Sequence, residues 1–343
     1  MEVYQTEEYR GYDINIYYDP DPYSPCEWDN VATFVCEHRR YNLGDVQNIE
    51  GVIQELFDKY VSSQAIIKKF CEKKNAKLVE EDGEKYYEYE VKYDTYQHTV
   101  CISADQSEDC IAEEMAESFS EQEKLDMVEE TGEIVWLPIS MYEHSGISIW
   151  LGGKGGHPDA RWECSTIGFA YVEKCTAEKE GALRADKSGL YNGHKSWQEW
   201  AYAMMEGEMK TYNEYVSGEV FGYMVEGGDG YCSDSCWGFF GTDEIPRMIE
   251  EAKAEIDCAL KKQAKEYEAN KLYLKQHINE YVGDNWVISS TLYRIATDLF
   301  GQGCLERAAI TKFHVGSYAP CRVDDLDFDT LDIIVRYMNQ KAA

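Results

Sequence analysis

Three groups of residues in this sequence are of types that carry chemistry. Asp13, Asp19, Asp21 and Asp29 lead up to His38. A two-metal hydrolase needs converging carboxylates, often with a histidine, and strand ends commonly supply the aspartates. The same aspartates flank Pro20 and Pro22, where a turn prefers them on conformational grounds alone. In the second group, Cys232 and Cys236 share half of the chain with Cys164, Cys175, His144 and His157. A structural zinc site wants two closely spaced cysteine pairs, and Cys164 and Cys175 are too far apart to be the second. Trp237, Phe239 and Phe240 beside Cys236 instead suggest a thiol packed among aromatics.

The third group is nucleophilic: His144-Ser145, Cys164 or Cys236. Neither a G-x-S-x-G elbow nor a cysteine-protease signature surrounds them. The run Gly152-Gly153-Lys154-Gly155-Gly156 lacks the spacing and the Ser or Thr of a phosphate-binding loop. No catalytic set is complete. The expectation is a chain with no catalytic residues, no metal and no cofactor.

Charge is the strongest global signal. Asp and Glu number 65 against 33 Lys and Arg, a net charge of −32 over 343 residues. Phosphate backbones are held by Lys and Arg, so direct nucleic-acid binding is not expected and a basic partner is. A globule of this mass exposes roughly 14,000 Å² by surface scaling, or about one net charge per 450 Å². B-DNA carries about one per ~110 Å², taking a charge every ~1.7 Å of axis on a cylinder ~20 Å across. Imitating DNA therefore requires the acids to gather on one face. Cys101 to Glu133 does gather them, with twelve acids and one base. Its apolar residues Ile111, Met115, Phe119, Leu125 and Val128 fit one helical face or two short helices, leaving the carboxylates opposite. The candidate partner-binding residues are Asp105, Glu108, Asp109, Glu113, Glu114, Glu117, Glu121 and Glu123, with Asp324, Asp325 and Asp327 from a second cluster near the C-terminus.

The elements that must position these residues are legible in the hydropathy pattern. Tyr12 to Tyr18 alternates as a half-buried strand and stops at Asp19-Pro20-Asp21-Pro22. Val31 to Cys36 is a second strand. Ile49 to Tyr60 and Gln64 to Lys74 have helical spacing, and Glu84 to Val91 alternates again. Further strands are expected at Ile134–Ile139, Ile147–Leu151, Ser165–Glu173 and Glu219–Val225, and a helix at Trp197–Tyr215. Ile245 to Val282, rich in Lys, Glu, Ala and Leu, reads as one long helix with Pro246 in its first turn. Helix Leu331–Asn339 closes the chain.

Three ordered blocks carry a resemblance. They are Ser24-Pro25 and Glu27-Trp28-Asp29-Asn30 leading to His38-Arg39-Arg40-Tyr41-Asn42-Leu43-Gly44-Asp45; His144-Ser145-Gly146-Ile147 with Trp162 to Tyr171; and Asp234-Ser235-Cys236-Trp237-Gly238-Phe239-Phe240-Gly241. Together they resemble an uncharacterised family of proteins carried by phages, plasmids and integrative elements. Trp162-Glu163-Cys164-Ser165 departs from that pattern, standing where the family has a Trp-Asp-Ser-Gly-like run. This weakens the case for a catalytic aspartate there. The resemblance implies a role in DNA maintenance or in blocking host defence, by association only.

The expected fold is α+β: an antiparallel sheet from strands near 12, 33, 86, 135, 148, 167 and 220, packed by helices, with a long helix and a small C-terminal segment. The expected domains are an α+β core over 1–244 with an acidic helical insertion at about 98–133, the helix 245–282, and a helical segment 283–343. No apolar run reaches the ~20 residues of a membrane span. Met1 to Arg10 lacks the basic start and apolar segment of a signal peptide. The expectation is a host-cell cytoplasmic protein with its twelve cysteines reduced. The expected function is inhibition of a host defence nuclease complex, of antirestriction or anti-CRISPR type, by an acidic face that occupies a basic nucleic-acid-binding groove. One alternative is a metal-dependent hydrolase of nucleotides or nucleic acid. The other is a scaffold that forms homo-oligomers through its long helix.

Overall fold

The computed structural model describes residues 2–92, 97–144, 146–154, 164–185, 187, 189–227, 232–277, 279–282, 285–288, 324, 326 and 328–342. In chain order they form β1 (Val3–Tyr9), β2 (Tyr12–Tyr18), β3 (Thr33–Cys36), α1 (Ile49–Tyr60), α2 (Ser63–Lys74), β4 (Lys77–Glu81), β5 (Glu84–Lys92), β6 (Gln97–Ser103), α3 (Glu108–Ala116) and α4 (Glu121–Glu130). After these come β7 (Ile134–Glu143), β8 (Ile147–Leu151), β9 (Cys164–Glu173), α5 (Lys174–Leu183), α6 (Trp197–Val216), β10 (Val220–Gly227), β11 (Cys232–Phe240), α7 (Ile245–His277), β12 (Asn279–Val282), β13 (Asn285–Ile288) and α8 (Phe328–Ala342). The fold class is α+β. The chain divides into one unit of Met1–Tyr4, Ile16–Gly222 and Cys236–Ile245, and a second of Gln5–Asn15, Tyr223–Ser235 and Pro246–Ala343.

The first unit is built on the antiparallel sheet β3-β9-β7-β8. Both of its faces are apolar. Phe34, Val135, Met141, Ile167 and Val172 join Trp200, Ala201, Met205 and Met209 of α6 in one core. Val35, Ile134 and Phe169 join Ile53, Phe57, Phe70, Ile111, Met115, Leu125 and Val128 of α1 to α4 in another. Successive side chains of a strand point to opposite faces, so the consecutive pairs Phe34/Val35 and Ile134/Val135 feed one core each. Gly168 lets β9 lie close to β3, since a Cβ there would overlap the Val35 carbonyl oxygen.

The single expected sheet is instead several. A sheet covered by helices on both faces presents only its edges for further strands. The remaining strands form the meander β4-β5-β6, the sheet β1-β2-β10-β11 and the hairpin β12-β13. The acidic segment also begins differently from the expected 98–133 helical insertion. His98 to Ile102 includes β-branched residues with a buried Ile102, and Gln97–Ser103 pairs with β5 as a strand. Helix starts only at Ser107, whose hydroxyl accepts from the Cys110 amide.

In the second unit, the N-terminal half of α7 ties down the 5–15 segment. Lys253 pairs with Glu7 at 2.6 Å and Arg10 with Asp257 at 3.1 Å. Its C-terminal half packs on α8 through Leu274, Leu331, Ile334 and Val335. The long helix was expected to reach Val282 but ends at His277, and Asn279–Val282 pairs with Asn285–Ile288. The aromatic and β-branched residues Tyr281, Val282, Trp286, Val287 and Ile288 around Gly283-Asp284 are a hairpin pattern. Lys261 to Glu266 is exposed throughout.

Candidate functional site

The conspicuous blocks are first of all structural. Gly44 has φ +74°, and a Cβ there would lie 2.6 Å from the Phe34 carbonyl oxygen. This glycine lets the 41–46 segment fold back on β3. Asp45 then accepts from the Phe34 amide at 2.6 Å, and the Gly44 amide donates to the Tyr212 hydroxyl at 2.7 Å. Burial raises the Asp45 carboxyl above its ordinary range, opposed by its bond from Phe34. Burial also pushes the Cys26 thiol up to about 11 and the Cys36 thiol up to about 12. Thiols held in this way are poor nucleophiles at neutral pH. Glu208 of α6 accepts from the Val31 and Ala32 amides at 2.8 and 2.9 Å, and so seals the entrance to β3.

His38, the histidine of the expected hydrolase set, has other partners in the structure. Its Nε2 is 3.5 Å from Glu143, which also binds Arg40 at 2.7 Å, and its ring stacks on Tyr41. The His144 amide donates to the Gly146 carbonyl in the turn between β7 and β8. Ser145, His157, Trp162 and Glu163 lie outside the described residues, as does the side chain of Cys232. Among the described residues no three His, Cys, Asp or Glu side chains are grouped to hold a metal ion.

The acidic candidates on α3 and α4 sit over the second core, and their roles divide. Asp105 accepts from the Lys85 amide at 3.4 Å, Asp109 from Ser63 at 2.6 Å and Glu108 from Gln64 at 3.4 Å. Glu123 closes a capping box with Ser120 and pairs with Lys73 at 2.7 Å. That lysine, with the Ser120 bonds, holds the Glu123 carboxyl down at about 2. Lys69 likewise neutralises Glu130 at 2.6 Å. Sequence periodicity could not show that α2 lies beside this face and supplies it with lysines. The donors on Asp105, Glu108 and Asp109 are neutral and leave their charge in place. A further cluster is Glu113, Glu114, Glu117 and Glu121. All four are exposed, and none has an ion-pair or hydrogen-bond partner among the described residues. Asp324 is engaged by Lys271 at 2.8 Å and Lys275 at 3.4 Å. Asp325 and Asp327 lie outside the described residues.

Sequence reasoning passed over a second surface. Asp19, Pro20, Asp21, Tyr23, Trp28, Trp237, Gly238 and Phe240 line an open cleft of about 470 Å³. Trp28 meets Phe240 edge to face at 5.2 Å between centroids. Trp237 lies flat on β10 because residue 222 is glycine; a Cβ there would overlap the indole. The opposite wall is stiffened by Pro20, Pro22 and Pro25, by the Asp21 amide donating to Asp19 at 3.0 Å, and by Asn30 donating to the Pro25 carbonyl at 2.8 Å. Tyr23 is 80 % exposed and Trp28 48 %. The available signal was the density of Tyr, Trp and Pro around Tyr18 to Trp28, but its pairing with Trp237 and Phe240 is a tertiary fact.

No protein-family model matches this chain, and neither a curated protein nor a solved structure shows significant similarity to it. Functional reading therefore rests on these surfaces. Among the described residues no helix is long and apolar enough to cross a membrane.

Proposed function

We propose that this protein is a stoichiometric binder of a basic, nucleic-acid-binding partner, and that the outer face of α3 and α4 occupies that partner's groove. The observation that carries the reading is the unneutralised cluster Glu113, Glu114, Glu117 and Glu121 on helices whose other face is fixed in a core. Like charges four apart on a helix destabilise it by about 0.2–0.5 kcal/mol, and among the described residues no lysine is paired with Glu113 or Glu117. Such a fixed field accelerates docking on a positive surface and sets its register. The resemblance to mobile-element proteins points to a host defence nuclease as the partner, with nuclease inhibition as the outcome. The test is inhibition of restriction and CRISPR nucleases by the wild type and by the quadruple variant E113Q/E114Q/E117Q/E121Q. We expect the variant to associate about tenfold more slowly and to lose most of its salt dependence between 100 and 500 mM. Unchanged inhibition by a folded variant would remove the electrostatic mechanism.

A further inference from the structure

The aromatic cleft is a binding site in its own right. From its lining we infer that it receives the guanidinium group of an arginine side chain on a partner protein. Four aromatic side chains, Tyr23, Trp28, Trp237 and Phe240, stand in the lining, and among the described residues its charged groups are the carboxylates of Asp19 and Asp21. A ring face is the negative end of an aromatic quadrupole and attracts cations, indole most strongly. Both parts of this lining therefore select positive charge. Among the described residues no Lys, Arg, Asn or Gln lines the cleft to hold an anion or to satisfy a neutral polyol.

Among cations, guanidinium fits best. It is planar, stacks on indole, offers a rigid fork of donors to a carboxylate and is more weakly hydrated than an ammonium group. The volume, about 470 Å³, exceeds what one guanidinium needs and leaves room for the chain that carries it. The walls are ready-made: Gly222 seats Trp237, and the 19–30 loop is held by its prolines and internal hydrogen bonds. Little ordering cost remains at binding. Exposed large apolar side chains also concentrate here, with Tyr18, Tyr23 and Trp28 in one short stretch. Grouped exposure of this kind marks an interaction surface, and Trp, Tyr and Arg are the residues that dominate interface energetics. The inference rests on the cleft alone and holds whether or not the ridge meets the same partner.

The test uses the full chain labelled with 5-fluorotryptophan and read by fluorine NMR. The eight tryptophans give separate signals, and Trp28→Phe and Trp237→Phe assign the two that matter. The probes are acetyl-Gly-Arg-Gly-amide, its lysine and citrulline counterparts, and maltohexaose. The arginine peptide should move the Trp28 and Trp237 signals selectively. Citrulline, of the same shape without the charge, should bind at least about tenfold more weakly, and lysine should fall between. Asp21→Asn, an exposed and nearly isosteric change, should weaken the arginine peptide several-fold. The quadruple ridge variant should leave it unchanged, which separates this site from the ridge. Equal binding of citrulline or lysine, movement by maltohexaose instead, or no movement with the arginine peptide at 10 mM would each overturn the assignment.

Discussion

On α3 and α4 the exposed side chains are long, charged and rich in rotamers, and what fixes them lies beneath, in Ile111, Met115, Leu125 and Val128. In the cleft the exposed groups are rigid rings, and what fixes them lies alongside, in a proline-braced loop and a glycine in the neighbouring strand. The first arrangement acts over a distance set by the Debye length, about 8–10 Å at ordinary salt. The second acts only on contact. A charged face mainly changes how fast a partner arrives, whereas a rigid aromatic pocket mainly changes how long it stays. The two surfaces are thus suited to successive stages of one encounter, and they answer differently to mutation, salt and pH.

The largest expected effect comes from beneath the ridge. Met115 is fully buried, and Met115→Ala should destabilise the first unit by about 2–5 kcal/mol, read by chemical denaturation. A loss below about 1 kcal/mol would mean that the helix pair is a loosely held appendage. An intermediate effect is expected at Gly222→Ala, which forces the Trp237 ring off its bed. Overpacking of this kind costs about 1–3 kcal/mol, and the same variant should abolish the response of Trp237 to the arginine peptide while leaving salt-dependent association intact. Loss of both would show that the two surfaces are not independent. The smallest effect concerns pH. The Glu123 carboxyl is held down at about 2 from an ordinary 4.5, so its contribution is full above about pH 4.5 and is lost as pH falls towards 2. Lys73→Met should flatten that part of the stability profile. Because both partners are partly exposed, the change should be a few tenths of a kcal/mol.

The legibility of these features from sequence varied with how local their causes are. Tyr12 to Tyr18 and Ile49 to Tyr60 follow from hydropathy spacing because each buries one regular face. Val3–Tyr9 and Lys77–Glu81 were missed, since most of their residues are exposed and charged or polar, which leaves no alternation to read. Strand Asn279–Val282 falls inside the helix expected over 245–282 because Glu and Lys continue up to it, although the Gly-Asp pair that follows in the sequence is a turn signal. The acids of the ridge were visible individually. Their partial neutralisation by Lys69 and Lys73 was not, because it depends on α2 lying alongside. The cleft joins residues near position 20 to residues near 240, a pairing that no local pattern encodes.

The bed of Trp237 also has a consequence for descent. A side chain at position 222 and a large ring at position 237 exclude each other, so neither position can drift alone without losing the wall of the cleft. In chains descended from a common ancestor with this one, the two should change together. A bulkier residue at the first should be accompanied by a smaller one at the second, and lineages that keep the indole should keep the glycine. The acids at 113, 114, 117 and 121 face no such constraint, because charge on an open helix face can move by a turn and still act. Over time the cleft should therefore be inherited as a linked pair of positions and the ridge only as a total.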